Sequence, residues 1–169
     1  VQDDIDALFA TAVAELGHVD ILINNAGLGG TVDVIEMTDE QWSLVLDVTL
    51  NGTFRMTRAA LQHMVPRGSG VIVNNASVLG WRAQRGQAHY AAAKAGVMAK
   101  VAVRTATMRS QVNTNSQAPP VAIWANSSRA INDLVRKAAK RKVSRLLRLY
   151  LLGPTGEFAN LSVFITIPN

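Results

Sequence analysis

The chain has 169 residues, 49% of them apolar and 17% charged, which excludes a disordered polypeptide and supplies enough apolar material for one sizeable core. It has no cysteine, so a disulfide scaffold, a thiolate metal site and a cysteine nucleophile are excluded, and no run of about 18 uncharged apolar residues is present to cross a membrane. The net charge of +5 is unevenly spread: residues 1–99 carry a net of −4 and residues 100–169 a net of +9. Such an asymmetry signals either a polyanion-binding arm or two stretches of different origin.

The chain opens on Val1-Gln2-Asp3-Asp4, which is acidic and carries no signal-peptide pattern. It lacks a starting Met and reads as beginning inside a longer protein. Ile5, Leu8, Phe9, Ala12, Val13 and Leu16 follow at helical spacing, and Gly17 stands where a C-cap glycine belongs. Val19 to Ile23 is a short apolar run that ends in Asn24-Asn25-Ala26-Gly27, a buried parallel strand with a turn at its carboxyl end. Thr38 and Gln41 form a capping-box pattern that opens the next helix. Trp42, Val45, Leu46, Leu50, Phe54 and Leu61 supply its apolar positions, and Pro66, Gly68 and Gly70 break it. Val71-Ile72-Val73 is a second buried strand, running into Asn74-Asn75-Ala76-Ser77. A loop through Gly80 and Gly86 leads to a helix that starts near His89 and runs past Lys94. His89 reads as a surface residue.

Beyond about residue 100 the pattern changes. Gln111 to Pro120 is polar and reads as a loop or linker. Ser127 or Ser128 caps a basic amphipathic helix to about Leu152, with Ile131, Leu134, Ala138, Leu146, Leu147 and Tyr150 on one face. Leu161, Val163, Ile165 and Ile167 alternate with polar and aromatic neighbours, a strand signal. The expected organisation is a partial α/β domain over 1–108 and an atypical basic segment over 109–169.

Helix, strand, helix, strand, helix with short connections defines an α/β fold with a parallel sheet. Ligands in such sheets sit beyond the carboxyl ends of the strands, where both Asn-rich turns lie. Tyr90 and Lys94 are four residues apart and share a helix face. Ser77 lies at the end of the preceding strand, at the same edge of the sheet. A cation beside a phenol favours the phenolate, and a serine hydroxyl can hydrogen-bond a carbonyl or alcohol oxygen. The trio suits proton transfer to oxygen while hydride moves at carbon. A lone Tyr-x-x-x-Lys is common on helices. The hydroxyl at the strand end and the upstream Asn-Asn-Ala-Gly give this one its meaning.

Asp20 to Gly27, Ser77 and Tyr90-Ala91-Ala92-Ala93-Lys94 together resemble the short-chain dehydrogenases/reductases. Gly86 to Gly96 is similar to the 3-oxoacyl carrier-protein reductase branch. The resemblance spans Val1 to about Ala99. It implies a partial Rossmann-like, doubly wound parallel sheet lacking its first βα units. It implies Tyr90 as general acid/base, Lys94 as the residue that lowers the Tyr90 pKa and binds the nicotinamide ribose, and Ser77 as the group that orients the substrate oxygen. Asn25, Ala26 and Gly27, with Tyr90 and Lys94, would line the site of NAD or NADP. The implied activity is NAD(P)-dependent interconversion of a hydroxyl and a ketone on a small molecule, an acyl thioester above all.

Three departures from the family pattern stand out. The Gly-rich strand–turn–helix that holds a dinucleotide pyrophosphate is absent from this chain, so weak dinucleotide binding is expected of it alone. Thr49 stands where the resemblance implies Asn, and Asn51 lies two positions on, about 200° round a helix. The family pattern also fades near Lys100, as in a truncated or frame-shifted product or a divergent C-terminus. Trp81, Arg82, Gln84 and Arg85 follow Ser77 in the loop that would border substrate; the arginines suit a phosphate or carboxylate or simply a solvated loop. His18, His63 and His89 have no metal-ligand spacing. A cytoplasmic protein, homo-oligomeric and without a nucleic-acid or membrane partner, is expected. The alternative is a non-catalytic protein that lays the basic helix of 128–152 on an acidic membrane or nucleic acid.

Overall fold

The computed structural model describes residues 2–111, 121–125, 145–150 and 161–166, with side-chain surroundings for residues 2–99. Helix α1 (Gln2–Leu16) leads into strand β1 (Ile21–Asn24). Helix α2 (Asp39–Leu46), a π-helical segment (Asp47–Asn51) and helix α3 (Gly52–Arg67) follow without a break. Strand β2 (Val71–Asn75), a 3-10 turn (Val78–Gly80) and helix α4 (Ala88–Gln111) complete the well-packed part. Strands β3 (Val121–Ala125), β4 (Arg145–Tyr150) and β5 (Leu161–Thr166) close the series.

The five strands form one sheet in the order β3-β2-β1-β5-β4. β1 runs parallel to β2, with Ile21 opposite Val71 and Asn24 opposite Asn74, and β2 runs parallel to β3. This is the parallel α/β arrangement that the sequence implies. On the other side of β1 the sheet turns antiparallel, through β5 and then β4. The three strands of the 109–169 stretch therefore belong to the same sheet as β1 and β2.

The local signals in the first hundred residues act as their chemistry dictates. Gly17 closes α1, its N–H bonded to the Val13 carbonyl at 2.8 Å. Thr38 Oγ1 accepts from the Gln41 N–H at 3.2 Å, and Gln41 Oε1 accepts from the Thr38 N–H at 3.0 Å, a complete capping box. Pro66 lies within the last turn of α3, where its missing N–H removes one backbone bond, to the Gln62 carbonyl, and the helix ends only two residues later. Gly68 ends it at φ +63°, a left-handed conformation that a side chain would strain.

The main core is built where α1 and α3 meet the sheet. Ile5, Phe9, Ala12 and Leu16 pack with Met56, Ala60, Leu61 and Met64 over Leu22 and Ile72. β1, apolar up to its closing Asn24, is buried along its whole length, as expected of a strand covered on both faces. Trp42 and Phe54, expected at apolar core positions, are instead 39% and 38% exposed. Val45, Thr49, Thr53 and Met56 are the buried residues of this stretch. Phe54 lies about 100° round the helix from buried Thr53 and so falls outside the covered face.

Three expectations change in the later part. Val121–Ala125 forms a strand beside β2, although no strand is evident there from sequence pattern. Its five apolar residues are too short a run to separate strand from helix by periodicity. The expected helix of 128–152 is not helical at 145–150, because Arg145–Tyr150 pairs antiparallel with β5. Ladder pairing overrides a helical apolar stripe here. Residues 128–144 and the linker of 112–120 lie outside the described residues. β5 itself is the alternating strand expected from Leu161 onwards, now with its partner and direction fixed.

At the amino end of β1, polar side chains tie α3 to the sheet. His63 Nε2 accepts from the Val19 N–H at 3.2 Å, and Arg67 donates to the Val19 carbonyl at 3.0 Å and to Asp20 Oδ1 at 2.8 Å. Burial, and then the Arg67 and His18 charges, hold the His63 imidazole below its ordinary 6.5. His63 accepts a hydrogen bond only when neutral. Its contribution to stability is therefore complete above pH 6.5 and is lost as pH falls through the lowered value. Urea midpoints measured from about pH 7.5 to about pH 5 are expected to fall more steeply than in His63→Gln, whose amide does not titrate. Parallel curves for the two proteins would contradict this.

Candidate active site

β1 and β2 end side by side, and paired amides mark the edge. Asn24 Nδ2 donates to Asn74 Oδ1 at 2.7 Å and to Thr57 Oγ1 of α3 at 3.1 Å. One residue on, Asn75 Nδ2 donates to Asn25 Oδ1 at 2.7 Å. The Asn75 backbone carbonyl accepts from Lys94 Nζ at 2.7 Å, which fixes α4 to the end of β2.

Lys94 is only 2% exposed, and burial pushes its pKa down from 10.5 to about 8. It still carries its charge at neutral pH. Tyr90 lies one helical turn earlier, with its ring centroid 5.6 Å from Lys94 Nζ. The loop after β1 runs across both side chains. A Cβ placed on Gly27 would sit 3.3 Å from Lys94 Nζ, and one on Gly29 would sit 3.7 Å from the Tyr90 ring. The approach is tight at Gly27, whereas at Gly29 a Cβ would make an ordinary van der Waals contact with the ring.

Ser77 follows Asn75 by two residues and caps the 3-10 turn, its Oγ accepting from the Leu79 N–H at 3.2 Å. Its own hydroxyl proton remains available to an outside acceptor. The 3-10 turn lies directly on α4: a Cβ on Gly80 would meet the Lys94 carbonyl carbon and the Ala95 nitrogen, both at 2.9 Å. Gly27 and Tyr90 thus lie against Lys94, Asn25 is linked to it through Asn75, and Ser77 joins them through the turn packed on α4. Ala26 lies half-buried between Asn25 and Gly27.

Three features escape the sequence reading. Asn75 is the anchor of Lys94, a backbone role that no residue type announces. Thr49 is fully buried, and its hydroxyl is bonded to both backbone groups of Leu28. His89 is buried at 2% exposure, not on the surface, with Nδ1 accepting from the Tyr90 N–H at 2.9 Å. Its place one turn before Ala93 and two before Val97, both buried, is the signal that would have found it. Asn51 bonds Asp47 Oδ1 at 3.1 Å on the exposed side of the helix, so it does not substitute for Thr49. Arg85 is held by Asp33, at 2.6 and 3.2 Å, and joins the two loops that rim the site. Trp81 beside it is 74% exposed. Among the described residues there is no cluster able to hold a metal ion, and no helix is long and apolar enough to cross a membrane.

Parallel strands, paired amides at their carboxyl ends and a Tyr-x-x-x-Lys helix across them define an α/β domain of the Rossmann-like class. Residues 1–140 match the family described as short chain dehydrogenase, and the chain belongs to that family. The match continues well beyond residue 99, where the motifs cease to be legible. A (5R,7aS)-5-hydroxy-7a-methyl-1-oxo-2,3,5,6,7,7a-hexahydro-1H-indene-carboxyl-CoA reductase of Mycobacterium tuberculosis is 62% identical over 97 residues, 56% of this chain and 37% of that one. A 3-oxoacyl-(acyl-carrier-protein) reductase of Vibrio cholerae is 33% identical over 98% of this chain and 66% of its own. The crystal structure of a short chain dehydrogenase from Mycobacterium smegmatis superposes with a TM-score of 0.62 at 47% identity, over 76% of this chain and 51% of that one. The chain thus spans between about a third and two thirds of the length of these relatives.

Proposed function

We propose that the protein carrying this chain is an NAD(P)-dependent oxidoreductase that interconverts a hydroxyl and a ketone on an acyl thioester. The observation that carries this reading is the buried Lys94 ammonium, anchored on the Asn75 carbonyl and one turn from the Tyr90 phenol. The thioester is supported by relatives named as reductases of a CoA thioester and of an acyl-carrier-protein substrate.

The residues present fit a nicotinamide nucleotide. Gly27 and Gly29 put no side chain between the β1 loop and the Tyr90–Lys94 face. Asn25, Ala26 and Gly27 would line the cofactor on one side and Tyr90 and Lys94 on the other. When bound, the nicotinamide supplies the hydride in reduction and accepts it in oxidation. The protein moves the proton. Tyr90 gives its phenolic proton to the substrate oxygen as the ketone becomes a hydroxyl and takes one back in reverse. Lys94 places a positive charge where negative charge develops on the phenol oxygen. Ser77 donates its free hydroxyl proton to the substrate oxygen and orients it.

A small-molecule substrate, a cytoplasmic location and a homo-oligomer go with this reading. Assembly is supported by Trp42, Leu44 and Phe54, which expose large apolar side chains along α2 and α3. The decisive experiment offers 3-oxoacyl-CoA and 3-oxoacyl carrier protein to the protein with NADH or NADPH and follows nicotinamide absorbance. Thioester-dependent oxidation of either cofactor is expected. No turnover of any ketone thioester with either cofactor would overturn the reading.

A further inference from the structure

We propose that Thr49 is a positioning residue that clips the Gly27–Leu28 backbone down over the Lys94 ammonium. Thr49 sits at the centre of the π-helical segment, fully buried, on an element distant in sequence from both the loop and α4. Its Oγ1 accepts from the Leu28 N–H at 3.0 Å and donates to the Leu28 carbonyl at 3.2 Å. One hydroxyl thereby satisfies both polar groups of a single loop residue. Its methyl group, Cγ2, lies 3.8 Å from the position a Gly27 Cβ would take, and Lys94 Nζ lies 3.3 Å from the same position. The loop backbone is therefore held between Thr49 and Lys94. Thr53 in turn donates its hydroxyl proton to the Thr49 carbonyl at 2.8 Å, filling one of the acceptors that π-helical geometry displaces.

The bonds also limit what Thr49 can do. A threonine hydroxyl has one proton to donate, and here the Leu28 carbonyl takes it. Thr49 has no second proton to pass on while the clip is closed. It acts through Lys94, by keeping Gly27 close and water away from Nζ. The Tyr90 ring is the titratable group placed against that ammonium by α4, and the Asn75 carbonyl is its acceptor from β2.

This inference rests on the proposed function only for the use to which Lys94 is put; the clip itself is tested without turnover. The test is an NMR titration of the Lys94 side chain in the full chain, with Thr49→Val and Thr49→Ser beside the wild type. Wild type is expected to titrate near 8. Thr49→Val keeps the shape and removes both bonds, so the loop lifts and water reaches Nζ. Its midpoint is expected about one pH unit higher, a tenfold change in proton affinity. Thr49→Ser keeps the hydroxyl and is expected to titrate with the wild type. A Thr49→Val midpoint equal to wild type would overturn the proposal, as would a Thr49→Ser midpoint that follows Val. Should the valine variant fail to fold, hydrogen exchange at the Leu28 amide of the wild type decides. Protection is expected, and exchange at the rate of an open loop would show that no clip exists. Absence of reductase activity in every assay, with the Thr49→Val midpoint raised and the Thr49→Ser midpoint at the wild-type value, would sink the function and leave the clip standing.

Discussion

Replacing Tyr90 with Phe is expected to lower turnover of a ketone thioester by about a hundred- to ten-thousand-fold, the usual contribution of a positioned general acid/base. The substitution removes one oxygen. It leaves the ring against Gly29 and beside Lys94, so the loop and the buried ammonium keep their places. The loss should fall on kcat, with KM little changed, because the proton moves only in the chemical step. Thermal unfolding of the variant should stay close to wild type. Steady-state kinetics with the reduced cofactor in excess check both points. A variant with more than about a tenth of wild-type turnover would remove Tyr90 from the proton path.

Gly80→Ala is expected to cost about 1–3 kcal/mol of stability, the range for forcing a methyl group into a filled space. The new Cβ would lie 2.9 Å from two backbone atoms of α4, the Lys94 carbonyl carbon and the Ala95 nitrogen. A helix backbone cannot swing aside as a long side chain can, so the 3-10 turn must lift. Ser77 opens that turn and would lift with it. Chemical denaturation reads the stability change, and the same variant should lose turnover beyond what its unfolded fraction explains. An unchanged denaturation midpoint for Gly80→Ala would show that the turn does not need its close seat on α4.

The sequence disclosed the first hundred residues well because their signals are local. A capping box, a closing glycine and two apolar runs need no distant partner to act, and α1, α2, β1 and β2 form where they dictate. The juxtaposition of Tyr90 and Lys94 was legible for a related reason: they owe their shared face to helix geometry alone. What stayed hidden depends on contacts between distant segments. Thr49 looks like a misplaced polar residue until the Leu28 backbone is set against it. Trp42 and Phe54 look like core until the covered face is seen to run through Val45, Thr49 and Thr53. Arg145–Tyr150 looks helical until β5 offers a ladder. Periodicity reports which face a segment would bury, and it is silent on which neighbour arrives to be buried.

The two amide pairs at the carboxyl ends of β1 and β2 work like the teeth of a rack. Side chains alternate along a strand, so Asn24–Asn74 and Asn25–Asn75 bind the same two strands from opposite faces of the sheet. Parallel pairing alone would tolerate a slide, since one apolar residue can replace the next along Ile21 to Ile23. A slide of one position would unmesh both teeth at once and carry the Asn75 carbonyl about 3.3 Å along the strand, out of reach of the lysine it anchors. Small polar pairs at the rim thus act as a gauge, transmitting the spacing of two strands to the Lys94 ammonium on α4.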